Sequence, residues 1–160
     1  MVSKKRVDVV LIAVDTPIKC GIYEDLTLKM CFERTCKVSD GLLEIFSGVF
    51  AYLQARDWVL GRVFYAKGPG SFTALKLTHI FLQTLALSEE IELFSAPSFY
   101  FNQSAPIRAF GNKYFIQESS GQISLATTIP MGLSEFLLPE RLEPKDFGTQ
   151  NDPLYILPPI

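Results

Sequence analysis

The sequence predicts an α/β protein built on a mixed five-stranded sheet, followed by a smaller lobe of strand and loop. Three observations predict it. Three β-prone segments at hairpin spacing open the chain, two long helical periodicities then alternate with two further strands, and beyond Pro97 proline and glycine punctuate only short β-prone runs. The expected order is strand, strand, strand, helix, strand, helix, strand. The change of texture divides the chain into an N-terminal lobe over residues 1–97 and a C-terminal lobe with its tail over residues 98–160. A length of 160 residues with 48% hydrophobic composition suffices for one ordinary domain, or for two small lobes sharing a core.

Val7 to Val14 reads as a strand buried on both faces. The basic opening Met1-Val2-Ser3-Lys4-Lys5-Arg6 superficially resembles a leader, but Asp8 and Asp15 cut the apolar run to six residues, below a signal core or a membrane span. A basic start to a buried strand, no membrane segment and a cytoplasmic location are therefore expected. Ile18 to Tyr23 and Leu26 to Phe32 follow as a hairpin with Glu24-Asp25 as the turn. From Ser39 or Asp40, either an N-cap, apolar residues recur at Leu42, Leu43, Phe46, Val49, Phe50 and Leu53 with helical spacing. Val59 to Ala66 returns to strand character, Phe72 to Leu87 makes a second helix, and Ile91 to Phe94 gives a fifth strand. In the second lobe Lys113 to Gln117 and Gln122 to Thr128 are β-prone. The tail Pro153-Leu154-Tyr155-Ile156-Leu157-Pro158-Pro159 is too apolar for a free linker and is expected to pack back onto the body.

Chemistry concentrates at Ala66-Lys67-Gly68-Pro69-Gly70-Ser71-Phe72-Thr73, where a strand turns into a helix and backbone N–H groups could meet an anion. Lys67 precedes the first glycine instead of following the second, Thr73 stands where a dinucleotide fingerprint has its third glycine, and Pro69 lacks an N–H. Two readings stand: a tight turn that lets strand and helix approach closely, or a weak nucleotide site formed by Asp15, Thr16, Gly68, Gly70 and Ser71. Asp15, closing the first strand, orients a metal or phosphates in phosphotransferases of this strand order, and equally serves as a turn former beside Thr16.

The single histidine excludes more than it suggests. His79 lies roughly 12 Å along the helix axis from Ser71, so the two cannot pair as base and nucleophile. Cys20, Cys31 and Cys36 are odd in number and match neither a C-x-x-C metal pattern nor a disulfide framework. No catalytic residue and no metal site is assigned, and no cofactor is required. The formal net charge of −2 offers no general attraction to nucleic acid or to an anionic membrane. The second helix carries Phe72, Leu75, Leu77, Ile80, Phe81, Leu82, Leu85, Ala86 and Leu87 with almost no polar face. Such a helix is either wholly buried or packed on another subunit. A partner interface is expected at Leu42, Phe46, Phe72, Leu75, Thr78, His79 and Leu82.

Leu11-Ile12-Ala13-Val14-Asp15-Thr16 on the first strand and Gly68-Pro69-Gly70-Ser71-Phe72-Thr73-Ala74-Leu75-Lys76 at the loop resemble the bacterial TsaB (YeaZ) family, with patterns I-L-A-I-D-T-S and G-P-G-S-F-T-G-L-R. The resemblance covers about residues 7 to 97, with fainter echoes at Ile107-Arg108-Ala109-Phe110-Gly111-Asn112-Lys113-Tyr114 and at Pro153-Leu154-Tyr155-Ile156. It implies an actin-like (ASKHA, ribonuclease-H-like) fold in two lobes with a shortened C-terminal lobe. It also implies a non-catalytic scaffold or activator role in N6-threonylcarbamoyladenosine (A37) modification of tRNA. There the family member pairs helix to helix with the catalytic paralogue TsaD and is joined by the ATPase TsaE. ATP or ADP would then sit only at the complex interface, and tRNA would be met only through the complex. Pro17, Ala74 and Lys76 replace the family's serine, glycine and arginine, and Thr78, Ile80 and Leu82 replace small residues, which implies a remodelled interface. Two alternatives remain: a small actin-like-fold ATP-binding phosphotransferase, and a homodimeric interaction module without ligand.

Overall fold

A computed structural model of the chain describes residues 4–128 and 133–156. Strands β1 (Lys5–Ile12), β2 (Ile18–Glu24) and β3 (Thr27–Arg34) form an antiparallel meander. Helix α1 (Val38–Ala55) returns the chain to β4 (Trp58–Ala66), and α2 (Phe72–Glu89) leads into β5 (Glu92–Ala96). The sheet order is β3-β2-β1-β4-β5, with β1, β4 and β5 mutually parallel, so the sheet is mixed. Antiparallel strands need only a tight turn, whereas each parallel step needs a crossover, and α1 and α2 supply those crossovers. A 3-10 turn at Ser98–Phe101 then enters a second sheet of β6 (Ile107–Arg108), β7 (Tyr114–Gln117) and β8 (Ile123–Ala126). No helix among the described residues is long and apolar enough to cross a membrane.

The core explains the apolar runs. Val7 and residues Val9 through Val14 are almost fully buried, as expected of a central strand covered on both faces. The one buried charge within β1, Asp8, is held by a fork from Arg62 of the neighbouring β4, Nε donating to Oδ1 at 2.8 Å and Nη2 to Oδ2 at 3.0 Å. Ile45, Phe46, Val49 and Leu53 of α1 pack with Val9, Leu11 and Val63 on one sheet face, and Val10, Ile12, Phe64 and Phe101 pack with Leu142 on the other.

Several boundaries differ from the sequence reading. The hairpin turn is Asp25-Leu26 rather than Glu24-Asp25, both residues having positive φ (51° and 66°), the backbone that matches strand twist in a two-residue turn. Helix α1 starts at Val38 with Lys37 as N-cap and no side-chain cap, so neither Ser39 nor Asp40 caps it. Leu43 is 62% exposed while Ile45, absent from the expected apolar set, is buried. Helix α2 is not wholly buried: only Ala74, Leu75, Thr78 and Leu82 are, because one side alone faces the sheet.

The tail packs back, as its apolar character predicts, up to Ile156; residues 157–160 lie outside the described residues. The chain from Pro139 onward touches each edge strand of the five-stranded sheet through an isolated bridge. Leu28 donates its N–H to Glu140 O (2.9 Å) and Leu142 to Leu26 O (2.8 Å) at the β3 edge, while Ser95 and Gly148 exchange backbone bonds at the β5 edge (2.9 Å each). Edge strands left open invite pairing with other chains, and here the same segment occupies one position on each. Tyr23 donates its hydroxyl to Pro139 O, Tyr65 donates to Asn151 O at 3.1 Å, and Leu142 is completely buried.

Candidate functional site

The end of β1 and the start of α2 meet at the glycine loop. Gly70 has no room for a side chain: a Cβ there would lie 2.6 Å from both Cβ and O of Val14. That close approach lets the Ser71 N–H donate to Val14 O at 2.7 Å. Ser71 also caps α2, its hydroxyl accepting from the Ala74 N–H at 3.4 Å. Gly68 sits at φ +119°, a region glycine tolerates, and its carbonyl accepts from the Ser98 N–H at 2.7 Å. Pro69 has no N–H to offer, so two of the donors a phosphate cradle would use are missing or already engaged. On the facing loop Asp15 Oδ1 accepts from the Thr16 N–H at 2.8 Å, a local turn bond.

These two loops form one wall of a cleft between the lobes, with a volume of about 500 Å³. Asp15, Gly70, Ser71, Phe72 and Leu75 come from the N-terminal lobe, facing Arg108 and Phe115 of the small sheet, Phe110 between β6 and β7, and Tyr155 of the tail. Phe72 and Tyr155 stack with ring centroids 4.5 Å apart. A second chamber of about 200 Å³ adjoins it, and Asp15 and Arg108 border both. Lys19 lines the smaller chamber but is already bound, donating to Glu135 Oε1 at 2.6 Å and to Phe136 O at 2.7 Å. Of the nucleotide-site residues read from the sequence, Asp15, Gly70 and Ser71 line the larger chamber and Thr16 the smaller, while Gly68 lies behind them against Leu154 and Leu75.

A second depression, about 390 Å³, runs between α1 and α2 on the opposite side of α2's buried stripe. Leu42 and Leu43 of α1 and Leu77, Ile80, Phe81 and Leu85 of α2 line it. The α2 hydroxyls at its rim are spent within their own helix, Thr84 donating to Ile80 O and Ser88 to Leu85 O. Of the interface residues read from the sequence, Leu42, Phe46, Leu75, Thr78 and Leu82 are buried within the chain, and Leu42 still forms part of this groove's floor. Phe72, 54% exposed, lies at the cleft. His79 turns to a third side of α2, beside Lys67, Gln83 and tail residues 149–154, its Nδ1 buried without a partner. It shares no depression with Ser71.

Sequence reasoning missed Arg108, Asn102, Leu43, Leu77, Ile80, Phe81 and Leu85 as surface-forming residues. Arg108 carried a signal, being a lone cation between Ile107 and Ala109 in a β-prone segment. Among the described residues no three His, Cys, Asp or Glu side chains gather as a metal site. Cys20 is fully buried and burial holds its thiol far above the ordinary range, which leaves it inert as a nucleophile.

No protein-family model matches the chain, and no curated protein matches it. Among solved structures it is similar to YeaZ from Pseudomonas aeruginosa, with a TM-score of 0.58 and 16% identity over 86% of this chain and 69% of that one. A second match is an uncharacterized protein with similarity to peptidase YEAZ from Pseudomonas aeruginosa, at a TM-score of 0.55, again 16% identical over 86% and 69% of the two chains. The fold is the two-lobe actin-like architecture. Ser71 and His79 line different depressions, so these two side chains do not form a nucleophile–base pair.

Proposed function

We propose that this chain is a non-catalytic accessory subunit that pairs, through the groove between α1 and α2, with a catalytic paralogue of the same fold. The observation that carries the reading is the groove itself: exposed Leu43 and Ile80 flank an apolar depression with no free polar group on α2 to orient a small ligand. An apolar trough between two helices of 18 residues each suits another helix laid along it. Combined with the G-P-G-S-F-T motif, the reading extends to a cytoplasmic complex with a TsaD-like transferase and a TsaE-like ATPase that makes threonylcarbamoyladenosine in tRNA. Nucleotide would then be held at the complex interface, and the chain's slight negative charge leaves tRNA to its partners.

Co-expression with the TsaD-like paralogue from the same cell tests this. An equimolar complex that Ile80→Glu dissolves is expected, together with a fall in modified adenosine when the gene is deleted. No complex, with normal modified-adenosine levels in the deletion strain, overturns it. A homodimer through the same groove is the second reading, favoured by the same exposed leucine and isoleucine. It predicts a two-chain mass for the isolated protein that Ile80→Glu halves.

A further inference from the structure

The two chambers of the inter-lobe cleft share a junction that carries opposite charges from opposite lobes. Asp15 comes from the loop after β1 and Arg108 from β6, and both border both chambers. Among the described residues neither takes part in an ion pair. Behind them Asn102, 2% exposed, borders the smaller chamber, its Nδ2 donating to Ala105 O at 3.0 Å. The remaining wall of the larger chamber is apolar and aromatic: Phe72, Leu75, Phe110, Phe115 and Tyr155.

This set discriminates between ligand classes. A polyphosphate would bring several negative charges to a cleft with one unengaged cation, beside a carboxylate that repels them. A purely apolar ligand would leave Asp15 and Arg108 desolvated without compensation. A molecule with one ammonium, one carboxylate and an apolar body satisfies both charged groups, and about 500 Å³ lies within the ordinary range of small-molecule sites. We propose that the inter-lobe cleft binds a free amino acid with a large apolar side chain. Its ammonium donates to Asp15, its carboxylate accepts from Arg108, and its side chain fills the larger chamber. The site is separate from the α1–α2 groove, so either reading can fail while the other stands.

Titration calorimetry on the full chain with L-phenylalanine and L-leucine tests the proposal, alongside phenethylamine, which lacks the carboxylate, and 3-phenylpropionate, which lacks the ammonium. The amino acids are expected to bind, and each one-charge analogue to bind at least roughly tenfold more weakly. Asp15→Asn should weaken phenylalanine by a similar factor while leaving 3-phenylpropionate unchanged, and Arg108→Gln should do the mirror image with phenethylamine. Both side chains are exposed, so the variants should keep the wild-type circular dichroism. No binding at about 10 mM phenylalanine, equal binding of the analogues, or insensitivity to both substitutions overturns the proposal. So does magnesium–ATP binding tighter than phenylalanine and lost in Asp15→Asn.

Discussion

The inter-lobe cleft and the α1–α2 groove are both apolar depressions of similar size, yet they are built for different occupants. In the cleft an Asp and an Arg outside any ion pair border the same two chambers from opposite lobes, whereas the rim hydroxyls of α2 at the groove are consumed by their own helix. Apolar lining alone therefore does not say what binds. Convergent unpaired polar groups define a small ligand's orientation, and their absence beside exposed leucine and isoleucine leaves a surface that only another apolar face can cover. Helix α2 serves both, contributing Phe72 and Leu75 to the cleft and Leu77, Ile80, Phe81 and Leu85 to the groove.

Charging the groove should separate the two surfaces most sharply. Leu43→Glu combined with Ile80→Glu is expected to weaken the partner complex at least roughly hundredfold, since a carboxylate pressed into an apolar interface loses its hydration. Both side chains are more than half exposed, so folding stability should stay within about 0.5 kcal/mol, and amino-acid binding in the cleft should be unchanged. Next in size, Gly70→Ala forces a methyl group against the Val14 carbonyl and should cost about 1–3 kcal/mol in a urea titration. It disturbs the cleft wall while partner affinity, measured on the folded fraction, remains. Phe72→Ala removes the stack on Tyr155 and should cost about 0.5–1.5 kcal/mol, again with the groove untouched.

The smallest effect concerns the tail that lines the cleft but not the groove. Burial pushes the Tyr65 hydroxyl up to about 12 from its ordinary 10.0, so above pH 10 the unfolded chain releases a proton that the folded chain keeps. The contribution of this one group is fully present below pH 10 and is lost as the pH rises toward about 12, which alkaline melting curves would register. Tyr65→Phe should flatten that decline while deleting the bond to Asn151 O.

Much of the fold was legible because its signals are local. The alternation of strand and helix and the short strands of the second lobe follow from periodicity and turn chemistry within a few residues. The hairpin turn slipped by one residue because Leu26 occupies a positive-φ position usually given to glycine or asparagine, and only the pairing of β2 with β3 enforces it. In the candidate site, the three residues Asp15, Gly70 and Ser71 that line the larger chamber were singled out in advance, Asp15 from the end of the first strand and the other two from the loop motif. Arg108 and Asn102 were not, because nothing in their neighbourhood along the chain announces a residue more than eighty positions away as a neighbour in space.

By itself, then, the sequence determined the elements, their order, the glycine loop and the surplus of apolar surface on α2, because each depends on backbone preference and side-chain spacing within one segment. Only the tertiary structure decided which parts of α2 stay open, where the tail bridges each sheet edge, and that Asp15 and Arg108 line one cleft. Those outcomes depend on which segments share a core, and a single α2 surface can be satisfied by the sheet, by the tail or by a partner with the same local pattern. The packing of distant segments allotted Leu75 and Leu82 to the interior and left Ile80 exposed at the groove.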